Sequence, residues 1–133
     1  MPRATRATPS RRVLALRVVD LAALGAFVVT GVSTHDHGLP LAALARIGVP
    51  LVVAWVLAAA IVGTYRTCSV RTLIAAWALA VPPAVAIRTA VAGGPWGGDF
   101  VVFLGVALVF TLLFLLLGRA VVLAARSLAP VAG

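Results

Sequence analysis

Acidic and thiol side chains are scarce in this sequence of 133 residues. It contains 11 arginines and no lysine, against only three acidic residues, Asp20, Asp36 and Asp99. Its single cysteine, Cys68, has no second thiol in the chain with which to form an internal disulfide. The sequence shows no Ser-His-Asp set, glycine-rich phosphate loop or paired carboxylates. We therefore expect no enzyme, and we predict no catalytic residue, cofactor or metal site.

Four long apolar stretches occupy most of the chain. They run over residues 13–33, 44–65, 72–92 and 100–125. A helix needs about 20 predominantly apolar residues to cross about 30 Å of hydrocarbon, and 63% of the residues are hydrophobic. The sequence therefore predicts an all-α integral membrane protein, a four-helix bundle with four spans within residues 13–126. A disordered basic tail over 1–12 and a short C-terminal tail over 127–133 flank it.

The arginines are unevenly divided between the two ends of this predicted bundle. Nine lie on the side of the termini, namely Arg3, Arg6, Arg11, Arg12, Arg17, Arg66, Arg71, Arg119 and Arg126. The other side has only Arg46 and Arg88. Because cytoplasmic flanks carry an excess of Lys and Arg, both termini are predicted in the cytoplasm of a multi-pass plasma-membrane protein. The arginines form no stripe on a soluble face, so we expect the lipid bilayer as a partner and not nucleic acid.

The third span contains two prolines near its midpoint, Pro82 and Pro83. Proline has no backbone N–H, so the carbonyls of Ala78 and Leu79 lose their usual helical donors. We predict a helix break at this point. The break is either a kink whose lost hydrogen bonds are restored by neighbours or a set of freed carbonyls that face an ion site.

Arg88 lies in the same span, close to its outer end. Charged groups inside a span face a bundle interior or extend to the interface, so Arg88 either reaches the lipid headgroups or receives Asp99, Asp36 or an anionic ligand. At 3.6 residues per turn, it shares one helix face with Trp77, Val81 and Ala84.

Asp20 presents the same choice in the first span. It follows Arg17 by three residues, a spacing at which helix side chains meet, so a local ion pair near the interface is one interpretation. The other is a proton or cation site, of the kind that small four-helix multidrug transporters place in their first helix.

Two histidines and an aspartate form a cluster in the first loop, predicted over residues 34–40. His35, Asp36 and His37 are adjacent in sequence, and Asp99 is expected on the same side of the membrane. A closed zinc site needs about four ligands, so the alternatives are a solvated polar loop and an incomplete ligand set.

A sequence of short motifs runs through the spans. It comprises Asp20, Gly31-x3-His35, Pro50-x4-Trp55, Arg88 and Leu-Gly-Arg at 117–119. In this order, over about residues 18–120, the chain resembles the small prokaryotic membrane proteins of domain-of-unknown-function family 3054. That family has a tryptophan between the last glycine and arginine, whereas Gly118 directly precedes Arg119 here. The resemblance implies four spans and a shared set of polar residues, and the family has no assigned function.

Two functions remain open at the level of sequence. The first is a small transporter- or channel-like protein, oligomeric or joined to another membrane protein, with a polar site between its helices. Its candidate residues are Asp20, Arg88, His35 and Asp99, together with the break at Pro82 and Pro83. The second is a non-transporting membrane subunit or an assembly or scaffold protein whose arginines only set the topology. The two differ in whether Asp20 and Arg88 point into the bundle.

Overall fold

The described part of the chain folds into four long helices and one short one. The computed structural model describes residues 10–35 and 40–128, and of His35 it describes the backbone alone. The helices are α1 (Arg11–His35), α2 (Leu41–Val62), α3 (Thr64–Thr67), α4 (Val70–Ala92) and α5 (Gly98–Leu128). All except α3 are long and apolar enough to cross a membrane. The predicted all-α bundle with four spans is confirmed.

The four long helices pack as an antiparallel ring. Helix α1 packs on α2 and α5, and α4 packs on the same two neighbours. We call the end that holds Arg11 and Leu128 the terminal end, and the end with the α1–α2 and α4–α5 connections the loop end. The core between the helices is built from aliphatic side chains, alanines and one tryptophan, Trp55. Many large apolar side chains are exposed on the outside of the ring, as expected for surfaces that face lipid.

The second span ends earlier than predicted, and the chain then turns back under the bundle. Gly63 adopts the left-handed conformation with φ 74°, and its N–H donates to the carbonyl of Ala59 at 3.0 Å. A side chain is strained at this φ, so glycine suits the position. The single turn of α3 follows, and the buried Thr64 hydroxyl donates to the Thr72 carbonyl at 3.1 Å. Tyr65 therefore lies on α3 and not at the end of a span.

Helix α5 is longer than the predicted fourth span at both ends. With 31 residues it extends over about 46 Å, more than the hydrocarbon thickness of about 30 Å. It already begins at Gly98, so the predicted loop over 93–99 is shorter and Asp99 belongs to the first helical turn. At the other end, α5 continues to Leu128, two residues past the predicted end of the membrane domain.

Helices α1 and α5 approach each other closely where α5 has a glycine. A Cβ atom added at Gly118 would lie 2.7 Å from Cγ1 of Val19, well inside van der Waals contact. The absence of a side chain at this position therefore lets the two helices come together next to Arg119.

The predicted break at Pro82 and Pro83 does not divide the helix. Helix α4 continues through both prolines from Val70 to Ala92. The two lost backbone hydrogen bonds are outweighed by packing, because Val81 and Ala84 on either side of the prolines are buried in the core. Pro83 is exposed and lines an apolar groove of about 480 Å³ between α2 and α4.

The predicted tails lie largely outside the described residues. Helix α1 begins at Arg11, so the last two residues of the predicted disordered tail are helical. Residues 1–9 and 129–133 are not among those described, nor are Asp36 and His37 of the first loop.

Candidate polar sites at the two ends of the bundle

A buried ion pair joins α1 to α5 in the terminal half of the bundle. The Asp20 carboxylate is fully buried, and Arg119 is only 7% exposed. Arg119 Nε donates to Asp20 Oδ1 at 3.1 Å, and Nη2 donates to Oδ2 at 2.8 Å. This two-pronged geometry matches the planar fork of a guanidinium to both carboxylate oxygens.

Two aromatic side chains complete the surroundings of this ion pair. The Tyr65 hydroxyl donates to Asp20 Oδ2 at 2.9 Å and accepts from Trp55 Nε1 at 3.1 Å. The guanidinium carbon of Arg17 lies 5.3 Å from the centre of the Tyr65 ring, within cation–π range. We call Asp20, Arg119, Tyr65 and Trp55 the Asp20 cluster. It connects α1, α2, α3 and α5, which explains why α3 turns back under the bundle.

Asp20 does not form the local ion pair with Arg17 that we considered. Arg17 lies against Tyr65, and Asp20 is paired with Arg119, 99 residues away in the sequence. Arg119, which the sequence suggested as a topology-setting flank residue, is instead part of the core. Asp20 and Arg119 are each nine residues from the end of their helix, or about 14 Å at 1.5 Å per residue, so antiparallel packing brings them to the same depth.

The environment of Tyr65 keeps its hydroxyl protonated. Burial raises the pKa of the Tyr65 phenol well above its usual value, and the neighbouring Asp20 carboxylate acts in the same direction. The hydrogen bond from Trp55 opposes these effects but is weaker than the burial. Tyr65 is therefore a lasting hydrogen-bond donor to Asp20.

Arg88 in the loop-end half points into the bundle and is not paired with Asp99. Its guanidinium carbon lies 4.1 Å from the centre of the Phe103 ring on α5, so the side chain points into the bundle and not to the headgroups. Its Nε is buried and has no hydrogen-bond partner among the described residues. Within residues 10–35 and 40–128, no carboxylate oxygen lies within 4.0 Å of a guanidinium nitrogen of Arg88. Asp36 lies outside that part of the chain.

Arg88 lines a cavity between the helices. The cavity has a volume of about 430 Å³, and all four long helices contribute to its wall. Its lining consists of Phe27, Val28, Gly31, Val32, Ile47, Arg88, Asp99, Val102, Phe103 and Val106. We call it the Arg88 cavity. Neither Pro82 nor Pro83 contributes to it, so the prolines do not belong to this site.

The remaining candidate residues, Asp99 and His35, both lie at the loop end of the bundle. Asp99 is exposed in the first turn of α5 and contributes to the wall of the Arg88 cavity. His35 is the last residue of α1, and its side chain lies outside the description. In the part of the chain that is described, no three His, Cys, Asp or Glu residues are grouped so as to hold a metal ion.

An apolar layer separates the Asp20 cluster from the Arg88 cavity. Along α1, α2 and α5, the residues between the two sites include Leu24, Leu51 and Ala107, all nearly inaccessible. The polar groups at this depth bond to one another, since Trp77 Nε1 donates to Thr111 Oγ1 at 3.0 Å. The predicted helix face of Trp77 and Arg88 is confirmed, because both contact α5.

Sequence signals for the Asp20 cluster were present but incomplete. A buried aspartate needs a cation, and Arg119 is the arginine at matching depth on the last span. Tyr65 falls at the end of the second predicted span, because nothing local in the sequence indicates that α3 folds back.

Comparison with other proteins gives a family without a described activity. No curated protein and no solved structure matched significantly. The model of one family, described as "Protein of unknown function (DUF3054)", matches residues 17–122. The matched segment contains Asp20, Tyr65, Arg88 and Arg119. The chain thus belongs to the DUF3054 family of proteins of unknown function, as the resemblance of its motifs predicted.

Proposed function

We propose that this protein is a small carrier-like membrane protein that admits an anionic solute into the Arg88 cavity. The observation that carries the proposal is Arg88 itself. Arg88 lines a cavity of about 430 Å³ between four helices, and none of the described carboxylates lies within 4.0 Å of its guanidinium. Ionisable residues within spans commonly mark substrate pathways, and ligand cavities are commonly 300–1,000 Å³ in volume.

The Asp20 cluster has a structural part in this proposal. Both oxygens of Asp20 already accept hydrogen bonds, and Tyr65 and Arg119 are held by the same contacts. A carboxylate so engaged is a poor site for a transported proton or cation. We therefore assign Asp20 to holding α1 against α5 while the loop end handles the solute.

The orientation and surroundings of the protein are part of the proposal. The arginine bias supports termini in the cytoplasm and the Arg88 cavity facing outwards, in the plasma membrane. The exposed apolar surface supports contact with the bilayer and with a second copy or another membrane protein. We propose no enzymatic activity and no nucleic-acid partner.

Flux through liposomes tests the proposal. Purified protein is reconstituted into sealed liposomes of neutral lipid loaded with 2-naphthalenesulfonate, a fluorescent anion whose permanent charge makes it cross lipid slowly. Efflux is expected to be at least about tenfold faster with the parent protein than with Arg88→Gln, because the guanidinium–anion hydrogen bonds are lost. Arg126→Gln, at an exposed position of α5, is the matched control and should behave like the parent. Equal efflux from liposomes with the parent protein, with Arg88→Gln and without protein would contradict the proposed transport function.

A non-transporting membrane subunit is the second candidate, and the apolar layer favours it. Between the Arg88 cavity and the Asp20 cluster lie the buried apolar side chains of Leu24, Leu51 and Ala107, and the polar groups of Trp77 and Thr111 at that depth bond to each other. The groove between α2 and α4 offers a partner helix an apolar surface. Co-purification of one membrane protein, lost when Pro83→Trp fills the groove and kept in Arg88→Gln, would favour this function.

A further inference from the structure

The charges around the Arg88 cavity favour an anion. Of the residues that the structure describes, two with charged side chains line it, Arg88 and Asp99. Asp99 lies in the first turn of α5, where the partial positive charge of the helix N-terminus stabilises a carboxylate, and it is exposed to solvent. Arg88 has no ion-pair partner among the described residues. The unmet electrostatic demand of the cavity is therefore for negative charge.

The rest of the cavity wall favours an apolar body. Apart from Arg88 and Asp99, the wall is formed by Phe27, Phe103, Ile47, four valines and Gly31. A hydrated inorganic anion would gain nothing from these side chains, whereas an aromatic or aliphatic group would bury its surface against them. At Gly31 a Cβ atom would meet no other atom within 4 Å, so the space beside this residue is open.

We infer that the Arg88 cavity binds an amphipathic monoanion, a carboxylate or sulfonate attached to a compact apolar body, with the acid group on Arg88 and the body between Phe27 and Phe103. The inference rests on the cavity invoked in the proposed function, but it concerns binding and does not require transport. The ligand that we infer is a free solute rather than a phospholipid, because all four long helices contribute to the wall of the cavity.

Calorimetric titration of the protein in neutral-lipid nanodiscs tests the ligand class, with empty nanodiscs as the blank. The probes are 2-naphthalenesulfonate, methanesulfonate as the charge without the body, and 2-naphthalenemethanol as the body without the charge. The first should bind saturably with one site per chain, and each of the others at least about tenfold more weakly. Equal binding of the alcohol, or of methanesulfonate, would overturn the inference.

Variants test the position of the ligand. Arg88→Gln should weaken 2-naphthalenesulfonate binding at least about tenfold, since it removes the charge-assisted hydrogen bonds. Gly31→Leu should do the same by filling the cavity without altering Arg88. Gly25→Leu is its matched control, because Gly25 is also on α1 with open space around it but does not line the cavity, and it should bind like the parent. Equal affinities of Gly31→Leu and Gly25→Leu would place the ligand elsewhere and overturn the inference.

An Asp99 variant and a change of lipid composition provide two further tests of the ligand. Asp99→Asn should strengthen anion binding about twofold or more by removing a like charge from the cavity wall. Weaker binding of 2-naphthalenesulfonate to this variant would show that the Asp99 carboxylate does not oppose the bound acid group. Stabilisation by phosphatidylglycerol that depends on Arg88, without binding of the sulfonate, would identify a lipid headgroup as the occupant. Either result overturns the inference. Binding of 2-naphthalenesulfonate without its efflux from liposomes would contradict only the proposed transport function.

Discussion

At the level of single residues, the most demanding contact in the protein is between Asp20 and Arg119. Both side chains are buried, so each depends on the other for the interactions that water would otherwise supply. The attraction in such a pair largely repays the cost of removing two charges from water. Loss of one partner leaves a charge that nothing compensates.

We expect Asp20→Asn and Arg119→Gln each to lower the free energy of unfolding by about 3–5 kcal/mol, the usual cost of breaking a buried ion pair from one side. Equilibrium unfolding in detergent micelles measures the loss. The double variant should be less destabilised than the two single losses added together, since no charge is left alone. Arg126→Gln, with an exposed side chain on the same helix, is the control and should change little. Single variants as stable as that control would contradict the importance of the pair.

Tyr65 gives a second test, because it is the only tyrosine in the chain. Its pKa is raised by burial, so in the folded protein the absorbance of tyrosinate near 295 nm should stay absent at pH 10.5 and appear when the protein is unfolded. The unfolded chain ionises its tyrosine near pH 10. The contribution of the protonated, buried Tyr65 to the free energy of unfolding is therefore complete below that pH and is lost as the pH rises beyond it. A titration midpoint near pH 10 in the folded state would show that Tyr65 is not held in the Asp20 cluster.

At the level of helices, the contact of α1 with α5 depends on Gly118. We expect Gly118→Ala to destabilise the protein by about 1–2 kcal/mol, because the cost of overpacking against Val19 exceeds the gain in helix propensity. Gly105→Ala on the same helix has no atom within 4 Å of its new Cβ and should be neutral or stabilising by up to about 1 kcal/mol. Thermal unfolding in detergent compares the two variants. A Gly118→Ala protein as stable as Gly105→Ala would mean that the helices are not in close contact here.

The extent of each helix was largely predictable from the sequence, whereas the contacts between helices were not. Hydrophobic length determines whether a segment crosses the membrane, and this property can be read along the chain. Pro82 and Pro83 indicated a break because proline removes local hydrogen bonds, but packing against other helices decides the outcome. The pairing of Asp20 with Arg119 depends on helix rotation and neighbour order, which a single sequence does not specify. The same is true of the contact of Arg88 with Phe103.

At the level of the whole molecule, Cys68 reports the orientation in the membrane. It is the only cysteine, half-buried just after α3 at the terminal end. We expect a membrane-impermeant maleimide to leave it unlabelled in intact cells and to label it after permeabilisation, because the arginine bias predicts that this end is cytoplasmic.

A cysteine in the α4–α5 connection provides the matched control. Trp96 is 58% exposed there, so a Cys68→Ser, Trp96→Cys protein should be labelled in intact cells. The reverse pattern for the two positions would invert the predicted orientation.

The separation of Asp20 and Arg119 by 99 positions in the sequence also sets an order of events in biosynthesis. At typical elongation rates of about 5–20 residues per second, α1 emerges from the ribosome about 5–20 s before its arginine partner. During that interval the first helix carries a carboxylate with no cation to meet it, which disfavours its release into lipid. The final helix therefore completes the first, and a nascent chain that stops before α5 is expected to expose an unpaired acid to membrane quality control.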